Sequence, residues 1–144
     1  MIRYQGDEAR AEITKYIEKY GANVYQMDKV DEDVVRDYLE SQFNQSDKLP
    51  DSGSKMNDSR AHDIDNYDIL ENNCTTKSCD AIQEGNNRQP ITYTKEMKNP
   101  KMAGGKGMVK MTINSISPSS LDTQLSDASK DSNSGVQNVT NEYR

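Results

Sequence analysis

Five lysines, Lys95, Lys98, Lys101, Lys106 and Lys110, fall within sixteen residues around the run Gly104-Gly105-Lys106-Gly107. Ammonium groups at that density, beside the exposed N–H groups of a glycine-rich turn, suit phosphate or carboxylate oxygens. Tyr93 is the nearby ring on which a nucleic-acid base can stack. The run is not a phosphate loop, which requires G-x4-G-K-[S/T], because Gly107-Met108 follow Lys106. The same lysines also suit a solvated loop that keeps an edge strand from aggregating. An acidic protein surface, in this molecule or in a partner, fits them as well as nucleic acid does.

Other reactive side chains are sparse. Cys74 and Cys79 form a C-x4-C pair, and His62 is the single histidine. A structural zinc site needs four ligands, and these three lack an obvious fourth. A disulfide needs an oxidising compartment, so two reduced thiols in a linker are expected. Asp63, Asp65, Asp68 and Glu71 imitate a calcium loop. That motif wants a glycine where Asp68 stands and a bidentate glutamate where Cys74 stands, so a solvated acidic run is expected instead. No serine or cysteine has a recognisable base near it in sequence. The expectation is therefore a non-enzymatic protein without a metal or cofactor.

The elements that would position these groups follow from periodicity. Ile13, Tyr16, Ile17 and Tyr20 recur at helical spacing over residues 7–21, with Asp7 as the expected cap and Gly21 as the left-handed end. A second helix is predicted over 31–43, capped by Asp31, with Val35, Tyr38, Leu39 and Phe43 along one side. Val30 and Val35 have the spacing of a hydrophobic staple. Residues 91–97 and 109–114 alternate with period two, which predicts a β-hairpin with a long basic tip. A lone hairpin is marginal in water and needs a partner surface. The stretch 44–90 reads as linker with one apolar island at Ile64, Tyr67, Ile69 and Leu70.

Composition sets the scale of what can fold. Only 22 of the 144 residues are Leu, Ile, Val or Phe, fewer than the roughly 20% expected of a globular chain. The net charge is −6, yet residues 91–120 carry five lysines against the single acid Glu96. The predicted fold is a mostly disordered, low-core chain of irregular α+β type. It comprises a helical docking module (1–43), an acidic flexible linker (44–90), a basic β-hairpin (91–114) and a disordered tail (115–144). Ile13, Tyr16, Ile17, Tyr20, Val35, Tyr38, Leu39 and Phe43 form the predicted partner-docking face, because some 35 residues bury two such stripes poorly. Tyr93, Lys95, Lys98, Lys101, Lys106 and Lys110 form the predicted polyanion-binding set.

The expected function is that of an adaptor or regulatory cofactor that docks one or more proteins. Self-association and nucleic-acid binding through the hairpin are alternatives, as is a structural subunit threaded through a large assembly. The acidic N-terminal helices, Ser/Asp-rich linkers and small β element resemble, in organisation, the phosphoproteins of negative-strand RNA viruses. That resemblance implies a polymerase cofactor or nucleoprotein chaperone. No membrane span or N-terminal apolar signal core is present in the sequence, so an intracellular, cytoplasmic or nuclear, location is expected.

Overall fold

A computed structural model describes residues 1–51, 53, 56–64, 73–98 and 105–144. In chain order they form α1 (Gly6–Tyr20), β1 (Tyr25–Met27), α2 (Glu32–Phe43), α3 (Cys74–Gly85), β2 (Thr92–Lys98), β3 (Lys106–Thr112), α4 (Pro118–Ala128), β4 (Val136–Asn138) and a 3-10 turn at Thr140–Tyr143. No helix among the described residues is long and apolar enough to cross a membrane.

Local chemistry explains where the helices start and stop. Asp31 caps α2 by accepting from the N–H groups of Asp33 and Val34, satisfying donors that lack an intrahelical partner. Gly21 ends α1 in the left-handed conformation, φ 65°. Gln5, not Asp7, is the residue before α1, and it makes no side-chain cap. Asp7 instead lies with Glu8 in the first turn, where both complement the helix dipole. At α3 the Asn73 side chain accepts from Thr75 and Thr76, while Thr76 Oγ1 accepts from the Asn73 N–H, a reciprocal capping box. α4 opens with Ser117 as cap and Pro118 in its first turn, where proline's missing N–H costs nothing.

Two small antiparallel sheets organise the strands of the described residues. β2 and β3 pair in register from Thr92↔Thr112 to Lys98↔Lys106, as the alternation predicts. β1 pairs with β4 through Tyr25↔Asn138, Gln26↔Gln137 and Met27↔Val136. The core lies where the hairpin base meets α4 and β4: Ile91, Tyr93, Ile113, Leu125, Ala128 and Val136 are buried together. Tyr25, Met27, Val30, Ile82, Met111 and Leu121 pack against this cluster.

Chain-end contacts tie α1 to the rest. Thr14 Oγ1 donates to the Tyr143 carbonyl at 2.9 Å, and Arg10 Nη2 donates to the Glu142 carbonyl at 2.9 Å. The Arg10 guanidinium also stands 5.0 Å from the centre of the Tyr143 ring. Val139 N–H donates to Val24, whose own N–H reaches Thr140 Oγ1 at 2.9 Å.

Three expectations change. The chain is a small α+β protein, with four helices among the described residues, not a mostly disordered one. Residues 118–143, read as disordered tail, hold α4, β4 and the 3-10 turn and supply Leu125, Ala128 and Val136 to the core. The stretch read as flexible linker contains α3. The physical reason is that aliphatic counting misses much of this core, which uses Tyr93, Ala128, Met27 and Met111 as well. Buried polar groups are also satisfied: Ser134 Oγ donates to the Ala128 carbonyl at 2.7 Å and accepts from the Val136 N–H. Buried hydrogen-bonded hydroxyls fill space without the desolvation penalty of unpaired ones. Of the predicted apolar island, Tyr67, Ile69 and Leu70 lie outside the described residues, as do Asp65, Asp68, Glu71 and Lys101.

Candidate interaction surfaces

The eight residues predicted to form one docking face are divided by the N-terminal segment. Residues 1–4 are pinned by an antiparallel bridge from Ile2 to Ala61 and by Arg3 N–H to the Arg60 carbonyl at 3.0 Å. On α2, Glu40 receives Arg3 Nη2 at 2.7 Å. The Arg60 guanidinium sits 5.2 Å from the Tyr4 ring centre. Tyr4 thereby becomes the shared wall of two grooves.

One groove, about 600 Å³, is lined by Ile13, Tyr16 and Ile17 of α1 together with Ala9, Val24 and Tyr25. The other, about 490 Å³, is lined by Val35, Leu39 and Phe43 of α2 with Ile2 and a rim of Arg3, Glu32, Arg36 and Glu40. Ile17 is buried, as is Phe43, whose ring stacks on His62 at 3.7 Å. His62 Nδ1 lies 2.8 Å from the Phe43 carbonyl. Ile13, Val35 and Leu39 are half-buried. Tyr16 and Tyr20 remain 49% and 62% exposed, their rings 5.3 Å apart.

Tyr20 and Tyr38 line neither groove. Tyr38 is on the α3 side, where burial and then the Asp80 and Glu84 carboxylates raise its hydroxyl pKa. α2 packs chiefly on α3 rather than on α1. The close approach occurs at Gly85, whose position leaves no room for a Cβ between Val30 and Val35.

The basic set is divided as well. In the hairpin, Tyr93, Lys95 and Met97 share one face with Met111, Val109 and Gly107, and the buried Tyr93 shows that this face turns toward the core. Lys95 Nζ is consequently taken by Asp127 of α4 at 2.6 Å. Lys130 also reaches Asp127, at 3.2 Å. The Lys95 hydrogen bond holds the Asp127 carboxyl below its ordinary range, and Asp127 in turn raises Lys95. The opposite, solvent-facing side carries Lys98, Lys106 and Lys110, with Lys106 Nζ 2.9 Å from Glu96.

Two more carboxylates fasten α4 and its exit to neighbouring strands. Asp131 accepts from both the N–H and the hydroxyl of Thr94, at 2.7 and 2.9 Å, and these bonds lower its pKa. Asp122 accepts from the Tyr25 hydroxyl at 3.1 Å and from Asn23 at 2.9 Å. Burial, reinforced by the Asp122 charge, pushes the Tyr25 hydroxyl up to about 12. Sequence reasoning missed these acids, although Leu121, Leu125 and Ala128 after Ser117-Pro118 mark the helix that presents them.

The thiols are both free and differently placed: Cys74 is exposed, while Cys79 is buried with Sγ 3.7 Å from the Ser115 carbonyl. Burial raises the Cys79 thiol pKa, which disfavours the reactive thiolate. Five residues apart on one helix, the two project in different directions. No group of three or more His, Cys, Asp or Glu side chains among the described residues is arranged to hold a metal ion.

No family model, no curated protein and no solved structure matches this chain.

Proposed function

We propose that this chain is a non-enzymatic interaction protein, an adaptor or regulatory cofactor, which docks a partner protein through the α1 and α2 faces on either side of Tyr4. The observation that supports this most is the placement of the core. Its buried members come from the hairpin base, α4 and β4, and none comes from the predicted α1/α2 stripes. Of those stripes, Ile17 and Phe43 are buried outside that cluster and Tyr38 packs on the α3 side, while Ile13, Val35 and Leu39 line two grooves half-buried and Tyr16 and Tyr20 stay exposed. Tyrosine suits an interface because its ring is buried while its hydroxyl stays hydrated. The hairpin supplies a second, electrostatically distinct contact to an acidic partner. Two weak contacts on one chain reinforce each other through effective concentration.

The test compares capture from extract of the source cells by the intact chain and by Tyr16→Glu/Tyr20→Glu, two exposed positions whose change leaves the core untouched. The expected result is one protein retained at moderate salt, lost from the double variant and unaffected by nuclease. Retention by both chains with equal yield would remove the helical face from the proposal. A second reading, nucleic-acid binding through the hairpin, draws on Lys98, Lys106 and Lys110 sharing one face. It predicts binding to RNA or DNA that falls steeply with salt.

A further inference from the structure

We infer that β3 presents an open edge that accepts an acidic extended peptide as an added strand. This deepens the hairpin half of the proposed function and rests on that reading.

The ladder phase defines which groups are free. The Ile113 N–H donates to the Ile91 carbonyl at 2.9 Å, so Ile91 and Ile113 are a hydrogen-bonded pair. Antiparallel ladders alternate strictly, and the register continues without a break to Lys98↔Lys106. The backbone groups of Lys106, Met108, Lys110 and Thr112 therefore point away from β2. No described residue pairs with them. The edges nearer the core are closed by side chains instead. Asp131 occupies Thr94 on the β2 edge. On the β3 edge, the Gln124 amide both accepts from the Asn114 N–H and donates to its carbonyl, at 2.8 and 2.9 Å. Gln124 thus imitates a paired strand for one residue and leaves the outward groups of four residues, Lys106, Met108, Lys110 and Thr112, open beyond it.

Side chains select the occupant. Along the edge, Lys106 and Lys110 flank Met108 on the solvent face, while Val109 lies on the other; Met108 and Val109 are 67% and 41% exposed. An incoming strand meets these residues directly across the ladder, where opposite charges attract and like charges repel. It should carry acids four residues apart, with apolar side chains facing Met108 and Val109 between them. Glu96 offsets Lys106 in part, whereas no described carboxylate pairs with Lys110. A second copy of β3, paired in the register that centres Met108 on Met108, would set Lys106 against Lys110. Edge lysines discourage such self-pairing, and main-chain hydrogen bonding to the edge supplies affinity that pockets then make specific.

The experiment titrates the full 15N-labelled chain with the peptide Gly-Ser-Asp-Ile-Val-Thr-Glu-Thr-Ser-Gly, blocked at both ends, which paired antiparallel sets Asp and Glu against Lys110 and Lys106 and Ile and Val against Val109 and Met108. The expected result is shifts concentrated on Lys106–Thr112 and slowed exchange of the Met108 and Lys110 amides. A peptide with lysines replacing the two acids should bind at least tenfold more weakly, and Lys110→Glu should reverse that preference. Several outcomes overturn the proposal: equal binding of a scrambled peptide, shifts without amide protection, or the same shifts from a ten-nucleotide single strand. Concentration-dependent protection of these amides without peptide would also overturn it, in favour of a second copy. Loss of peptide binding beside an intact Tyr16/Tyr20-dependent capture would reject the edge alone. The converse would reject the helical face alone.

Discussion

Asp127 and Asp131 join α4 and its exit to the hairpin, and both titrate below an ordinary carboxyl. A depressed folded-state pKa means that the unfolded chain binds more protons. Their stabilisation is fully present above the unfolded value near 4 and is lost as pH falls through the lowered folded values. Lys95 works in the opposite sense: it is raised by Asp127, so its contribution holds below about 10.4 and is lost as pH rises through its folded value. The hairpin should therefore hold to α4 across the neutral range and loosen on acidification below about pH 4. Amide exchange of Thr94 followed against pH reads this directly. In Asp131→Asn, Thr94 protection should be weaker at neutral pH, and its acid-induced loss should be shallower. An unchanged Thr94 profile in that variant would show that the carboxylate does not hold the strand.

At the scale of elements, the α2–α3 contact turns on one missing side chain. A Cβ at Gly85 would stand 2.6 Å from methyl carbons of both Val30 and Val35. Valine is stiff at χ1 and cannot swing aside. Gly→Ala inside a helix ordinarily gains up to about 1 kcal/mol, but overpacking costs about 1–3 kcal/mol, so the clash decides the sign. Gly85→Ala should lower the denaturation midpoint. Gly107→Ala, at a position with open space around it, should not. The elements legible in the sequence were those with a strong apolar period: α1, α2 and the hairpin. α3 was hidden because its buried positions, Thr75 and Cys79 on one side and Ala81 and Gly85 on another, are small and make no single stripe of large apolar residues. α4 was hidden because Leu121, Leu125 and Ala128 are diluted by serine and aspartate. The division of the docking residues by Tyr4, and of the lysines by strand face, was not legible. Both depend on a pairing partner far away in sequence, Ala61 for the N-terminal segment and Asp127 for Lys95.

Across the whole molecule, a small core is made sufficient by polar seams. The buried residues of the main cluster all lie within 91–136, yet Tyr25, Met27 and Val30 complete it from the other end of the chain. Deleting residues 130–144 removes Val136, β4, the Ser134 bonds and the 3-10 turn at once. It should convert a cooperative thermal transition into a broad one, measured by near-ultraviolet circular dichroism. A sharp transition in the truncated chain would mean that the hairpin and α4 suffice as a folding unit.

The bonds from Thr14 to Tyr143 and from Val24 to Val139 span more than a hundred residues. Closing so long a loop costs entropy before any contact rewards it, and folding slows as contacts become less local. During synthesis, α1 can reach Arg60 through Glu8 early, but it lacks its bonds to Glu142 and Tyr143 until the last residues have left the ribosome. The Tyr16 and Tyr20 rings are exposed in the finished fold, so the surface they would offer a partner does not wait for this last closure, whereas the anchoring of the helix beneath them does.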